Sequence, residues 1–147
     1  MNLNALLEKA KEKALESDCR VPMVAFLLRN GTIVAYGVNK KGFRGSSIHA
    51  EIDCLRKLRF QKRRGENTTM FIARHRKDGS VGNAKPCANC LEVMRGMGVK
   101  KVAWTTSEQD VEVARISDIE NDFLTRPRLY GDIDVVSGLE YFALNGS

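Results

Sequence analysis

The dipeptide Asn30-Gly31 lies between two apolar, β-branched-rich runs in "VPMVAFLLRNGTIVAYGVN", residues 21–39. Asn-Gly tolerates the paired positive φ values of a type I′ turn, whose twist suits a tight hairpin. Two antiparallel strands therefore anchor the sheet this chain builds. Before them, Leu3, Leu6, Leu7, Ala10 and Ala14 recur at helical spacing, predicting an amphipathic helix from about Leu3 to Glu16. That stretch lacks the continuous apolar core of a signal peptide, and no run approaches the ~20 apolar residues of a membrane span. The reading is a cytoplasmic protein with no membrane partner.

After the hairpin, a loop over residues 40–47 leads to a second helix, about Ile48 to Arg64. Ile48, Ile52, Leu55 and Leu58 mark its buried face, and Ser46 or Ser47 can cap it. "TTMFIAR" reads as a third strand, followed by the charged, Gly-rich loop "HRKDGSVGNAK". A helix then runs from about Cys87 to Met97 and stops at Gly98, with Pro86 suited to its start. "KKVAWTT" and "DVEVARI" are the last two strands. A parallel return needs a crossover of about a dozen residues, so the short "SEQ" link predicts antiparallel pairing. From Ser117 the pattern is helical and then mixed. No linker, repeat or low-complexity tract divides the 147 residues, so one domain spans 1–147.

Four cysteines in a chain of this class do not suggest a disulfide framework, and two of them stand as Cys87-x-x-Cys90. Catalytic zinc takes three protein ligands and leaves a fourth position to water. His49, Cys87 and Cys90 supply three. The i, i+3 spacing puts both sulfurs on one face of a helix start, where the helix N-terminus favours thiolates. Glu51 follows His49 by two residues, about 200° round a helix, so the two do not both point straight at one ion. A carboxylate beside the water is a proton shuttle. Two other readings of these residues are a closed structural knuckle and a thioredoxin-like redox pair. The first needs a fourth ligand, from Cys54 or Cys19, and the second leaves His49 and Glu51 without a role.

"HAE" at 49–51 followed by "PCANC" at 86–90 resembles the zinc-dependent cytidine and deoxycytidylate deaminase superfamily, whose signature is H-x-E…P-C-x-x-C. The resemblance spans about Val21 to Thr106. It implies a three-layer α-β-α sandwich with helices on both faces of a five-stranded mixed sheet. It also implies bound zinc, Glu51 as the catalytic group, and substrate contacts from Asn39, Ala50 and Pro86. The implied reaction is hydrolytic deamination of a nucleobase. Cytosine in a free nucleoside or nucleotide, going to uracil and ammonia, is the first choice. A deaminase of single-stranded DNA or RNA and a catalytically silent zinc-binding module are the alternatives. Related folds are often oligomers, so a homo-oligomer is expected.

The formal charge of +6 favours anionic partners, nucleotide or nucleic acid. The basic run "RKLRFQKRR", residues 56–64, reads as a solvated helix end, with Arg63 roughly 21 Å from His49 along a helix. Arg44, Arg74, Arg76, Lys77 and Lys85 flank the metal motifs and can hold a substrate phosphate. His75 reads as solvated in its charged loop. Cys54 and Trp104 read as core, Cys19 as a bystander, and Tyr130, Tyr141 and Phe142 as packing residues near the pocket.

Overall fold

The computed structural model describes residues 2–42, 46–57 and 68–122, the last three by backbone alone. The expected continuation of the second helix through Leu58 and Arg63 to Arg64 lies outside these residues, as do Arg44, Tyr130, Tyr141 and Phe142. In chain order the elements are α1 (Leu3–Ala14), β1 (Met23–Arg29), β2 (Thr32–Val38), β3 (Lys40–Lys41), β4 (Ser47–Ile48) and α2 (Ala50–Arg56). They continue with β5 (Thr68–His75), β6 (Val81–Gly82), α3 (Ala88–Gly96), β7 (Lys101–Thr105), β8 (Val111–Arg115) and α4 (Ile116–Asp122). No helix among the described residues is long and apolar enough to cross a membrane.

The hairpin forms as its turn residues predict, with φ of 52° at Asn30 and 78° at Gly31. Arg29 pairs with Thr32, and one irregularity between Leu27 and Leu28 shifts the register. β1 also pairs antiparallel with β5, Phe26 facing Phe71. The chain then crosses over through α3, and β7 lies parallel to β5 with Phe71 beside Ala103. β8 returns antiparallel, as the short link requires, round a turn closed by Thr106 N–H to the Asp110 carbonyl at 3.0 Å. The main path is β2-β1-β5-β7-β8, the five strands expected from the sequence. One more short strand, β6, folds back on the end of β5 with Val81 opposite His75.

Strand periodicity divides the core into two layers. Ala25, Leu27, Met70, Ile72, Val102 and Trp104 face α2, α3 and α4, whereas Val24, Phe26, Leu28, Phe71, Ala73 and Ala103 face α1. Helices on both sides of a mixed sheet make the three-layer α-β-α sandwich. Trp104 is a core residue, 1% exposed.

The second helix begins two residues later than its apolar pattern predicts. Ser47 and Ile48 pair with Lys41 and Lys40 in a separate two-stranded ribbon, so neither Ser46 nor Ser47 caps the helix and Ile48 lies outside it. The buried face carries Glu51 and Asp53 as well as Ala50, Cys54 and Leu55. α2 presses on β2 at Gly37. A Cβ built there would lie 2.5 Å from the Ala50 carbonyl oxygen and 2.8 Å from the Asp53 carbonyl carbon, and nearer still to the Cys54 nitrogen. Only glycine permits that approach.

Asp53 ties the contact together. It is fully buried, and its Oδ2 accepts the Val38 N–H at 3.1 Å. Arg56 lies 2.7 Å from its carboxylate, Lys40 3.4 Å and Lys57 3.6 Å. Burial pushes its pKa up most strongly, but the Val38 N–H and the charges of Lys57, Lys40 and Arg56 together leave it below the ordinary carboxylate value. Lys57 also donates to the Tyr36 carbonyl at 2.7 Å and sits over the Tyr36 ring. The described start of the basic run is therefore committed to the helix-strand contact.

Two outcomes follow from this packing. Gly37→Ala should lower stability by at least about 1–3 kcal/mol, read from the urea midpoint, because no flexible side chain is there to yield. Asp53 contributes stability above its unfolded pKa, and that contribution is lost as pH falls through the lower folded value. Below about pH 4, the urea midpoint of the parent should fall more steeply than that of Asp53→Asn; parallel curves would remove the charge from the account.

Candidate active site and metal centre

His49 is the N-cap of α2, at φ −71° and ψ 151°, with no side-chain capping bond. Cys87 is the N-cap of α3, and Cys90 lies in that helix's first turn. The crossover from β5 to β7 thus sets α3 beside α2 and brings residues 38 apart in sequence together. His49 Nδ1 lies 3.2 Å from Cys90 Sγ and 3.7 Å from Cys87 Sγ. The ligand atoms of all three lie within 4.8 Å of one another. A tetrahedral ion with Zn–N and Zn–S bonds of ordinary length separates its nitrogen and sulfur ligands by about 3.6 Å, so the set fits zinc.

Charge supports the same fit. Burial, and then the Glu51 carboxylate, push the Cys90 thiol up. A buried thiolate next to a carboxylate needs a cation, and a divalent ion meets that need. Cys54 and Cys19 do not join the group. Cys54 is wholly buried among apolar side chains, with burial raising its thiol pKa to about 12. Cys19 is half-buried on the wall of the neighbouring cleft.

Glu51 is 2% exposed. Burial raises its pKa, against the lowering effects of its own backbone N–H, His49 and Cys90. It lies in the first turn of α2, whereas His49 precedes the helix in extended conformation, so the helical angle between positions 49 and 51 does not apply. Both side chains line one cleft of about 460 Å³, together with Asn39, Arg74, Asn83 and Cys87.

Asn39 is fixed rather than free to turn. Its Oδ1 accepts the Met23 N–H at 2.9 Å and lies 2.6 Å from Ser17 Oγ, while its Nδ2 donates to the Val21 carbonyl at 2.8 Å. Ala50 is buried at the start of α2 and is not among the residues lining the cleft. Pro86 lines a separate depression with Leu91 and Ile119. Lys85 borders both hollows. His75 corrects its sequence reading, for it ends β5 and is 9% exposed, because β5 extends one residue further than its apolar pattern and β6 pairs with it.

Sequence reasoning missed Gly37, Asp53, Ser17 and Asn83. A glycine inside a strand signals close backbone approach, so Gly37 carried a readable mark. Asp53 and Ser17 carried none.

A sequence profile of the cytidine and deoxycytidylate deaminase zinc-binding region matches residues 1–106, a span containing His49, Cys87 and Cys90. The family is a zinc-binding one, and these three residues form a group able to hold the ion. No curated protein sequence matches the chain. Among solved structures, cytidine deaminase from Burkholderia pseudomallei aligns at 24% identity with a TM-score of 0.65, covering 81% of this chain and 96% of that one. Cytidine deaminase from Mycobacterium tuberculosis aligns at 21% identity and a TM-score of 0.59, with 83% and 96% covered. The dCMP deaminase of cyanophage S-TIM5, in complex with dCMP and dUMP, aligns at 22% identity and a TM-score of 0.54, with 93% and 90% covered. The chain has the fold of these proteins.

Elemental analysis of purified variants tests the ligand set. Cys87→Ser and Cys90→Ser should lose zinc, whereas Cys19→Ser and Cys54→Ala should keep about one ion per chain. Equal loss from a folded Cys54→Ala protein would mean a closed, structural centre.

Proposed function

We propose that this chain, which belongs to the cytidine and deoxycytidylate deaminase zinc-binding family, hydrolyses the exocyclic amine of cytosine in a free nucleoside or nucleotide, giving uracil and ammonia. The observation that carries the reading is one arrangement. A buried carboxylate, Glu51, stands against a zinc ligand set in a cleft large enough for a base and a sugar.

The chemistry zinc supplies when held by His49, Cys87 and Cys90 is Lewis acidity, which makes water nucleophilic at neutral pH. The chain's own residues do the rest. Glu51 takes the proton of the attacking water, delivers it to the ring nitrogen of the base, and carries a second proton to the departing amine. Water's oxygen ends on the ring carbon that held nitrogen, and its two hydrogens balance uracil and ammonia. The burial that raises the Glu51 pKa suits a group that must both accept and release a proton. Asn39, already oriented by Val21, Met23 and Ser17, offers a fixed amide to the sugar. Met23 and Val21 add apolar wall at the same end.

A silent zinc-binding module is the weaker reading. Such a module has no physical use for a carboxylate buried against its thiolates, where it disfavours the thiolate form.

Zinc-loaded protein should release ammonia from a cytosine nucleoside or nucleotide and from none of the corresponding adenine or guanine compounds. Glu51→Gln should keep its zinc and lose turnover by at least about 10²-fold. Turnover by that variant at the parent rate would sink the assignment of Glu51, and an inactive parent with full zinc would favour the silent module.

A further inference from the structure

A second groove adjoins the metal cleft and has no part in the steps above. It measures about 830 Å³, against about 460 Å³ for the cleft. Cys19, Val21 and Arg74 belong to the walls of both, so the two hollows meet over a shared rim. The far walls are the end of α1 and the turn that joins β5 to β6. Lys11, Arg20, Arg74, Arg76 and Lys77 line the groove against one carboxylate, Asp78, a surplus of four positive charges. Asp78 is already engaged by the N–H of Ser80 at 2.9 Å and its hydroxyl at 2.5 Å.

Strand alternation sends His75 to the α1 side of the sheet, one residue beyond Arg74. His75 is 9% exposed, and its Nδ1 is a buried atom without a hydrogen-bond partner. The Nε of Arg74 is buried and unpartnered too. Gly82 on β6 leaves room for the Arg74 stem, since a Cβ there would lie 3.1 Å from its Cδ. Burial, and then Lys11, hold the His75 pKa below its usual value, with Glu8 opposing. Cations gathered along one groove repel one another until an anion with several oxygens meets them.

We propose that this groove is the subsite for a phosphate chain carried by the substrate, extending from the nucleoside in the metal cleft past Arg74 to Lys11 and Lys77. One phosphate on the sugar reaches the shared rim; the charges beyond it serve further phosphates. Two substrates offer that chemistry, the polyphosphate of a mononucleotide and the backbone of a single-stranded oligonucleotide. The inference rests on the deaminase reading for the base that reacts, and on the groove alone for the anion.

The test compares kcat/KM of the zinc-loaded full chain for a cytosine nucleoside, its 5′-monophosphate, its 5′-triphosphate and a single-stranded oligonucleotide with one cytosine. The triphosphate or the oligonucleotide should exceed the nucleoside by at least ~30-fold, with the advantage shrinking at about 0.3 M salt. Whichever leads identifies the source of the phosphates. The double variant R76A/K77A, at two exposed turn positions, should lower that preference at least ~10-fold, while Arg115→Ala, on β8, should leave it intact. Equal use of nucleoside, monophosphate and longer anions overturns the proposal, as does a preference unmoved by R76A/K77A. Inorganic tripolyphosphate, titrated while the His75 ring is followed by NMR, separates the two readings. Saturable shifts abolished in R76A/K77A, in a protein that deaminates nothing, would support the groove and remove the enzyme reading. No shift in an active protein would do the reverse.

Discussion

The contact of α2 with β2 at Gly37 governs where the chemistry is found. A helix normally stands off a strand by the thickness of its side chains; here backbone meets backbone, and one added carbon would collide with Ala50, Asp53 and Cys54. That closeness fixes the first turn of α2 relative to the sheet end where Val21, Met23 and Asn39 line the cleft. His49 and Glu51 occupy that turn and its cap. A rigid placement of His49 and Glu51 thus starts with a missing side chain.

Charge is handled differently at the two buried carboxylates of the same turn. Asp53 receives a backbone N–H and three flanking cations, so it stays ionised and serves as a tether. Glu51, two residues earlier, has a raised pKa dominated by desolvation. Neighbouring charges and an N–H hold one acid's pKa down, while burial holds the other's up.

Local rules explain what was legible beforehand. Asn30-Gly31 specifies its own turn, the short link after Thr106 excludes a crossover, and the Cys87 to Cys90 spacing needs only a helix start to align two sulfurs. These features depend on a few neighbouring residues. Those that escaped depend on partners outside their own helix or strand. Ser47 and Ile48 look like a helix start until Lys40 and Lys41 pair with them. His75 looks like a loop residue until β6 folds back on β5. Asp53 reads as an ordinary acid on a helix until Val38, 15 residues earlier, claims its oxygen.

The three side chains come from the starts of two separate helices, with His49 and Cys87 38 positions apart. An ion gripping both acts as a reversible cross-link that closes that span, in the manner of a disulfide closing a loop. Folding and metal binding are then coupled by mass action, so this chain's resistance to unfolding rises with free zinc even when no substrate is in reach.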